Sequence, residues 1–334
     1  MTRIVYAALA LALALPAHAA SVKLGVVNSM TGPQAPIGES LTNGIKLAQE
    51  DLKKKGIDVQ LVWEDDTGKP QVGLSALEKL ATRDNVAGVV GAYTSAVTSA
   101  VAKAAERYKV PLLNPVASKE EITRQGYKWV FRLSATTGDY AAILLDMALS
   151  LGQPKTMAIL NETTDFGVSG GKSARAYAEK KGIKVVFEEA YSQGSPDYRS
   201  TLVKLKNTTP DLVFMVSYVA DAILLMRQSR EIGLSPQAFL GAGAGFANSQ
   251  FAKETDVSNG VFSSTQWTDV VPWPGAKDFA TRYHRQFNKE ATYHAATAYA
   301  SMMILGEEAA KAGGDREKLR KQLGSQLVRQ LVLK

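Results

Sequence analysis

The chain contains no cysteine and only three histidines among its 334 residues. Without cysteine there are no disulfides and no thiolate nucleophile, so an exported form must rely on its core. His18 falls in the N-terminal apolar segment. His284 and His294 stand ten residues apart on helical stretches with no ligand-spaced carboxylates, so no metal centre is expected. Long apolar runs are missing beyond the N-terminus; Ile143 to Leu151 is interrupted by Asp146, which leaves no later segment fit to cross a bilayer. Concentrated charge is missing as well. Lys plus Arg number 39 and Asp plus Glu 32, a net charge of +7. The one basic run, Lys53-Lys54-Lys55, sits at a helix C-terminus, where cations are favoured. No nucleic-acid partner is expected. Complete catalytic sets are absent too. There is no G-x-S-x-G elbow with partners. Gly167-Val168-Ser169-Gly170-Gly171-Lys172-Ser173 is one residue short of P-loop spacing, and Gly241 to Gly245 is followed by Phe246-Ala247-Asn248, which breaks a dinucleotide fingerprint. Neither catalysis nor a cofactor is expected.

Residues 1–19 read as a signal peptide. Arg3 supplies the positive end, Ile4 to Leu15 the apolar core, and Ala17-His18-Ala19 the small-residue site, with cleavage expected after Ala19. Removing 19 of 334 residues leaves 315, enough for two domains. Strand and helix alternate without a break from Val22 onward, the mark of βαβ units on parallel sheets. The alternation restarts after Ser134 to Asp139. Thr268 to Pro274 reads as a return crossing. The expected fold is α/β, with two doubly wound parallel-sheet lobes: residues 20–136 plus 270–334 as lobe I and 137–269 as lobe II. The halves echo each other, since GVVGAY ends in Tyr93 and VFMVSY ends in Tyr218, each before a helix. Ligands bind outside the carboxyl ends of such strands, so these two ends are expected on opposite walls of one cleft.

The stretch Ala87 to Ser118 organises the site. It reads as strand, turn, helix, strand and a second turn, with Tyr93-Thr94-Ser95 and Val116-Ala117-Ser118 at one sheet edge. A helix N-terminus offers unpaired N–H groups and about half a positive charge, which suits a carboxylate. The same hydroxyls suit capping alone, and Ser118-Lys119-Glu120-Glu121 has the form of a capping box. Glu64-Asp65-Asp66 reads as a solvated turn and Asp165 as a helix cap. Trp129, Trp267 and Trp273 read as packing.

Taken in order, the signal peptide, VKLGVVNSMTGPQAPIGES, VVGAYTSAVTSAVAKAAERYKVPLLNPVAS, GYKWVFRLSATTGDY, NETTDFGVSGGKSAR and LLMRQSREIGL resemble the type I periplasmic solute-binding proteins of branched-chain amino acid ABC transporters, the Leu/Ile/Val-binding group. The resemblance covers about Val22 to Gly314. It implies two lobes that close on a small organic solute, an amino acid or other carboxylate, and deliver it to ABC permease subunits from the periplasm. A monomer is expected; a periplasmic sensor acting through protein contact is the alternative. It also implies that Tyr93, Thr94 and Ser95 hold the ligand carboxylate, that Val116, Ala117 and Ser118 add a carbonyl and a hydroxyl, and that Ile37, Phe166 and Tyr218 line the pocket. Ser95 and Ser118 lie 23 residues apart, as in the family. Two departures stand out. The loop around Gly243, which carries an acid for the ligand ammonium in amino-acid-binding members, has no charge here. An amine-free aromatic or aliphatic acid therefore becomes a candidate. The chain also ends, at Gln326 to Lys334, without the family's closing segment; fewer crossings and a looser hinge are expected.

Overall fold

The apolar runs of the first half pair side by side in one direction. The computed structural model describes residues 20–332; the signal-peptide reading and its cleavage point lie outside these residues. The first half runs β1 (Ala20–Asn28), α1 (Ala35–Lys54), β2 (Ile57–Asp65), α2 (Pro70–Thr82), β3 (Gly88–Gly91), α3 (Ser95–Tyr108), β4 (Leu112–Asn114) and β5 (Val130–Arg132). Its five strands form one parallel sheet in the order β2-β1-β3-β4-β5. Helices cover both faces, so the inner strands are largely buried; all four residues of β3 are.

The second half repeats the plan with α4 (Thr137–Leu151), β6 (Thr156–Glu162), α5 (Asp165–Lys180), β7 (Lys184–Tyr191), α6 (Arg199–Asn207), β8 (Leu212–Val216), α7 (Val219–Glu231) and β9 (Ala238–Gly241). Two short helical segments follow, α8 (Ser249–Lys253) and α9 (Thr255–Ser258), and then β10 (Val261–Ser263). Read from its far edge, this sheet has the order β7-β6-β8-β9-β10, the same winding as the first. The turn after β3 and the turn after β8 are therefore equivalent, and both sit at a topological switch point. The segment resembling a P-loop is no loop. It lies inside α5, where Gly170 packs against Val216 and Gly171 against Asn161.

The chain then returns to the first sheet through α10 (Ala276–Phe287), α11 (Tyr293–Lys311) and α12 (Arg316–Val332). α11 lies against α1, which buries Leu41, Ile45, Ala48 and Leu52. A Cβ on Gly44 would stand 2.2 Å from the Ala295 carbonyl oxygen, so only glycine permits this approach. Two segments pass between the sheets, residues 133–136 and residues 264–275. Gln266 ties them together: its Oε1 accepts the Ala135 N–H at 3.0 Å and its Nε2 donates to the Tyr140 hydroxyl.

One expectation fails in the first half. Asp65 and Asp66 do not form a solvated turn. Asp66 is buried and accepts from the Ser29 hydroxyl at 2.6 Å and the Gly68 N–H at 2.8 Å. Asp65 accepts from the Met30 and Thr67 N–H groups and the Thr31 hydroxyl. The two acids bind the loop after β1 to the turn after β2, because the paired strands deliver both to the same edge.

His294 on α11 is fully buried, between the rings of Tyr293 (centroids 3.9 Å apart) and Tyr93 (5.5 Å). Neither ring nitrogen has a hydrogen-bond partner among the described residues. Burial pushes its pKa down from 6.5 to about 3. Above pH 6.5 the ring is neutral folded or unfolded. Below it the unfolded chain takes up a proton that the folded chain refuses, so this residue lowers stability as pH falls from 6.5 toward 3. Glu162, pushed up to about 8 by burial, acts in the opposite sense between pH 8 and its ordinary value. Comparison with a variant isolates the histidine. His294→Phe is expected to gain on the parent by about 1.4 kcal/mol per pH unit below 6.5, measured by denaturant unfolding. Parallel stability curves from pH 7 to 4.5 would contradict the buried neutral ring.

Candidate functional site

β3 ends at Gly91, and the chain turns through Tyr93 and Thr94 into α3. Thr94 is the N-cap, its hydroxyl accepting the Val97 N–H at 3.3 Å. The first turn of α3 carries no acid, so its positive end is not neutralised within the helix. The Ser95 hydroxyl accepts the Lys119 N–H at 3.3 Å, which joins this turn to the next one along the sheet edge. Tyr218 faces Ser95 across the inner cavity, and the Ser95 N–H counters part of the upward push that burial gives the Tyr218 hydroxyl.

The turn after β4 is built differently. Asn114 is buried, and its Oδ1 accepts the Val116 N–H at 3.1 Å and the Ala117 N–H at 2.9 Å, while its Nδ2 donates to the Ala117 carbonyl. Arg132 donates to the carbonyls of Ala117 and Lys119. Burial lowers the Arg132 pKa to about 10. Ser118 does not cap a helix. Lys119 is extended (φ −55°, ψ 126°), and only a four-residue 3-10 turn, Glu120–Thr123, follows, without a side-chain cap. Asn114 and Arg132 hold the backbone open at this point. The capping box forms instead on α4, between Thr136 and Asp139. Of the two turns, only the one at Ser95 opens a full helix.

On the facing wall, β6 delivers Glu162, Thr164 caps α5 through the Gly167 N–H at 3.2 Å, and Phe166 projects into the cleft. Asp165 is not the cap. Its carboxylate accepts from Lys119 Nζ at 2.6 Å and from the Ser99 hydroxyl at 3.3 Å, which makes it an ion pair across the cleft. Tyr218 opens α7, and its N–H donates to Glu162. Glu162 is buried, which pushes its pKa up to about 8. The loop after β9 brings Gly243, whose N–H donates to Ser264 Oγ at 3.0 Å and whose φ of +45° suits glycine.

Two cavities result. The inner one encloses about 20 Å³, room for about one water molecule. Tyr93, Ser95, Val116, Ala117 and Ser118 line it from one wall, and Phe166 and Tyr218 from the other. Tyr140, Tyr293 and Ala244 complete it; the sequence reading missed all three. Tyr140 stands in the first turn of α4 and Tyr293 opens α11 far along the chain, and each follows a segment returning to the cleft. Gly243 does not line the cavity; it packs on the Tyr140 ring, and Ala244 takes the wall. The outer cavity, about 660 Å³, has Ile37 and Thr94 on one side and Asp221 on the other. Phe166 and Tyr218 line both. None of the residues lining the inner cavity is charged. Burial pushes the hydroxyls of Tyr93, Tyr218 and Tyr293 well above their ordinary range, so these rings stay neutral. The arrangement can accept an anion at the start of α3 and pack an uncharged body among rings. Among the described residues no group of three or more His, Cys, Asp or Glu side chains is disposed to hold a metal.

Known proteins share this design. Residues 21–328 match the periplasmic binding protein family. The Leu/Ile/Val-binding protein homolog 7 of Brucella suis is 26% identical over 324 residues, covering 91% of this chain and 80% of its own. Among solved structures, the leucine-binding protein LivK of Thermotoga maritima superposes with a TM-score of 0.82 at 25% identity, covering 90% of this chain and 87% of that one. A solute-binding protein of an ABC transporter from R. palustris, solved with 4-hydroxybenzoate, has the same fold, with a TM-score of 0.80 at 20% identity over 90% of this chain and 83% of that one. The chain belongs to the periplasmic binding protein family, in its type I branched-chain amino acid group.

Proposed function

We propose that this protein is the periplasmic solute receptor of an ABC importer and that it captures a small carboxylate between its lobes. In this reading residues 20–136 with 270–334 form lobe I and residues 137–269 lobe II. The exported chain is cut after Ala19, works as a monomer without catalysing a reaction, and hands its solute to ABC permease subunits. The observation that carries the reading is the start of α3: an acid-free first turn at which Ser95 lines the inner cavity. Tyr93, Thr94, Ser95 and Ser118 gather the carboxylate, with Val116 and Ala117 beside it. Phe166 and Tyr218 close from lobe II, Ile37 bounds the outer end, and Gly243 leaves its loop without charge. A ligand shifts lobe closure only through contacts it makes better in the closed form, so it must touch both walls.

The lining also bears on the rest of the solute. A primary ammonium brings three donors, and none of the inner lining residues is a carboxylate. Asp165 is engaged by Lys119. Burying an ammonium without a partner is costly, so the favoured solute carries no primary amine. Leucine and 4-methylpentanoate share a carbon skeleton and differ by that amine. Calorimetric titration is expected to show 4-methylpentanoate binding at least about tenfold tighter; tighter binding of leucine would refute the amine-free reading. Ser95→Ala is expected to weaken the acid by about tenfold or more, since a hydrogen bond to a charged group contributes about 1.5–3 kcal/mol. The variant keeps the main-chain N–H, so unchanged affinity with an unchanged melting midpoint would leave the carboxylate to that donor and return the hydroxyl to its bond with the Lys119 N–H.

A further inference from the structure

Five aromatic rings surround the inner cavity, and no charged side chain does. Tyr93 and Tyr293 come from elements packed on the first sheet, and Tyr140, Phe166 and Tyr218 from elements of the second half. Tyr218 lies edge-on to Tyr93, with centroids 5.9 Å apart and planes at 61°, and tilted against Phe166 at 5.3 Å and 43°. The phenols are fixed from behind. Tyr293 accepts the Ala244 N–H at 3.1 Å and bonds Tyr140, which in turn is held by Gln266. The Tyr93 hydroxyl is buried with no hydrogen-bond partner among the described residues. Ring faces carry negative quadrupole charge and attract a cation that needs no hydrogen bond.

On the reading that a carboxylate is held at the start of α3, we infer that the rest of the solute is a quaternary ammonium group, so that the receptor takes a betaine-type zwitterion. A quaternary nitrogen has no N–H to satisfy, so it escapes the cost that a primary ammonium meets in this lining. Its methyl groups pack on ring faces, and its charge is met by the quadrupoles of neutral phenols. Glu162, kept protonated by burial up to about pH 8, supplies neither a charge nor a contact to the cavity. Its oxygens are taken by the Tyr218 N–H and the Thr164 hydroxyl, and it does not line the cavity. The rings come from both walls. A cation between Tyr93 and the pair Phe166 and Tyr218 would take the place those rings now fill against each other. It would thereby join the lobes, which is what a closing ligand must do.

Glycine betaine and 3,3-dimethylbutanoate test the inference, because they have the same shape and differ by the positive charge. Titration calorimetry on the mature chain is expected to give glycine betaine at least tenfold tighter binding than the neutral acid. Phe166→Leu and Tyr218→Leu should each cut betaine affinity at least tenfold more than they cut affinity for the neutral acid; Phe166→Trp, which keeps a ring face, should retain betaine binding. Circular dichroism melts check that each variant is folded. Equal or tighter binding of 3,3-dimethylbutanoate, or of leucine, would overturn the cage and leave the carboxylate site standing. Failure of all three to bind would overturn both.

Discussion

The helix α3 begins where β3 ends, with its first N–H groups turned toward the opposite lobe. The candidate site depends on that constraint. A parallel sheet aligns the carboxyl ends of its strands at one edge, and each following helix presents a positive end there. Two such sheets with the same winding, set edge to edge, oppose α3 of one to α7 of the other. Tyr218 meets Tyr93 edge-on across the cleft, with Ser95 beside them at the inner cavity. Lys119 and Asp165 add a second link a short way along the cleft. This pair is partly exposed, so it contributes little to stability and more to the register of the walls.

Much of the fold was legible because the signals were local. Apolar runs bounded by Gly, Pro and polar turns marked the strands, and helical spacing of Leu41, Ile45, Ala48 and Leu52 marked α1. The echo between Tyr93 and Tyr218 was legible for the same reason, since each repeat carries its own strand-to-helix turn. Ser95 and Tyr218, read from those turns, and Phe166, implied by the family resemblance, meet at the inner cavity.

What could not be read depended on partners distant along the chain. Asp65 and Asp66 have the composition of an exposed turn, but β1 beside β2 brings Ser29, Met30 and Thr31 to bury them. Ser118 has the pattern of a cap, but Asn114 and Arg132 claim the backbone around it first. Asp165 has the pattern of a cap as well; Thr164 already does that work, and Lys119 from the other lobe takes the carboxylate. Tyr140 and Tyr293 enter the site only because two returning segments pass beside it. His294 reads in the sequence only as a helix residue without metal partners. It is buried because α11 fills the groove between α1 and the first sheet.

The central claim is that the main-chain donor at Ser95 holds the carboxylate of the solute. The amide proton resonance of Ser95, followed in labelled protein during titration with 4-methylpentanoate and with its methyl ester, tests this most directly. The account predicts a downfield shift of that resonance with the acid and none with the ester, because only the acid brings a full negative charge to the start of α3. Saturable binding of the acid with the Ser95 resonance unmoved would contradict it.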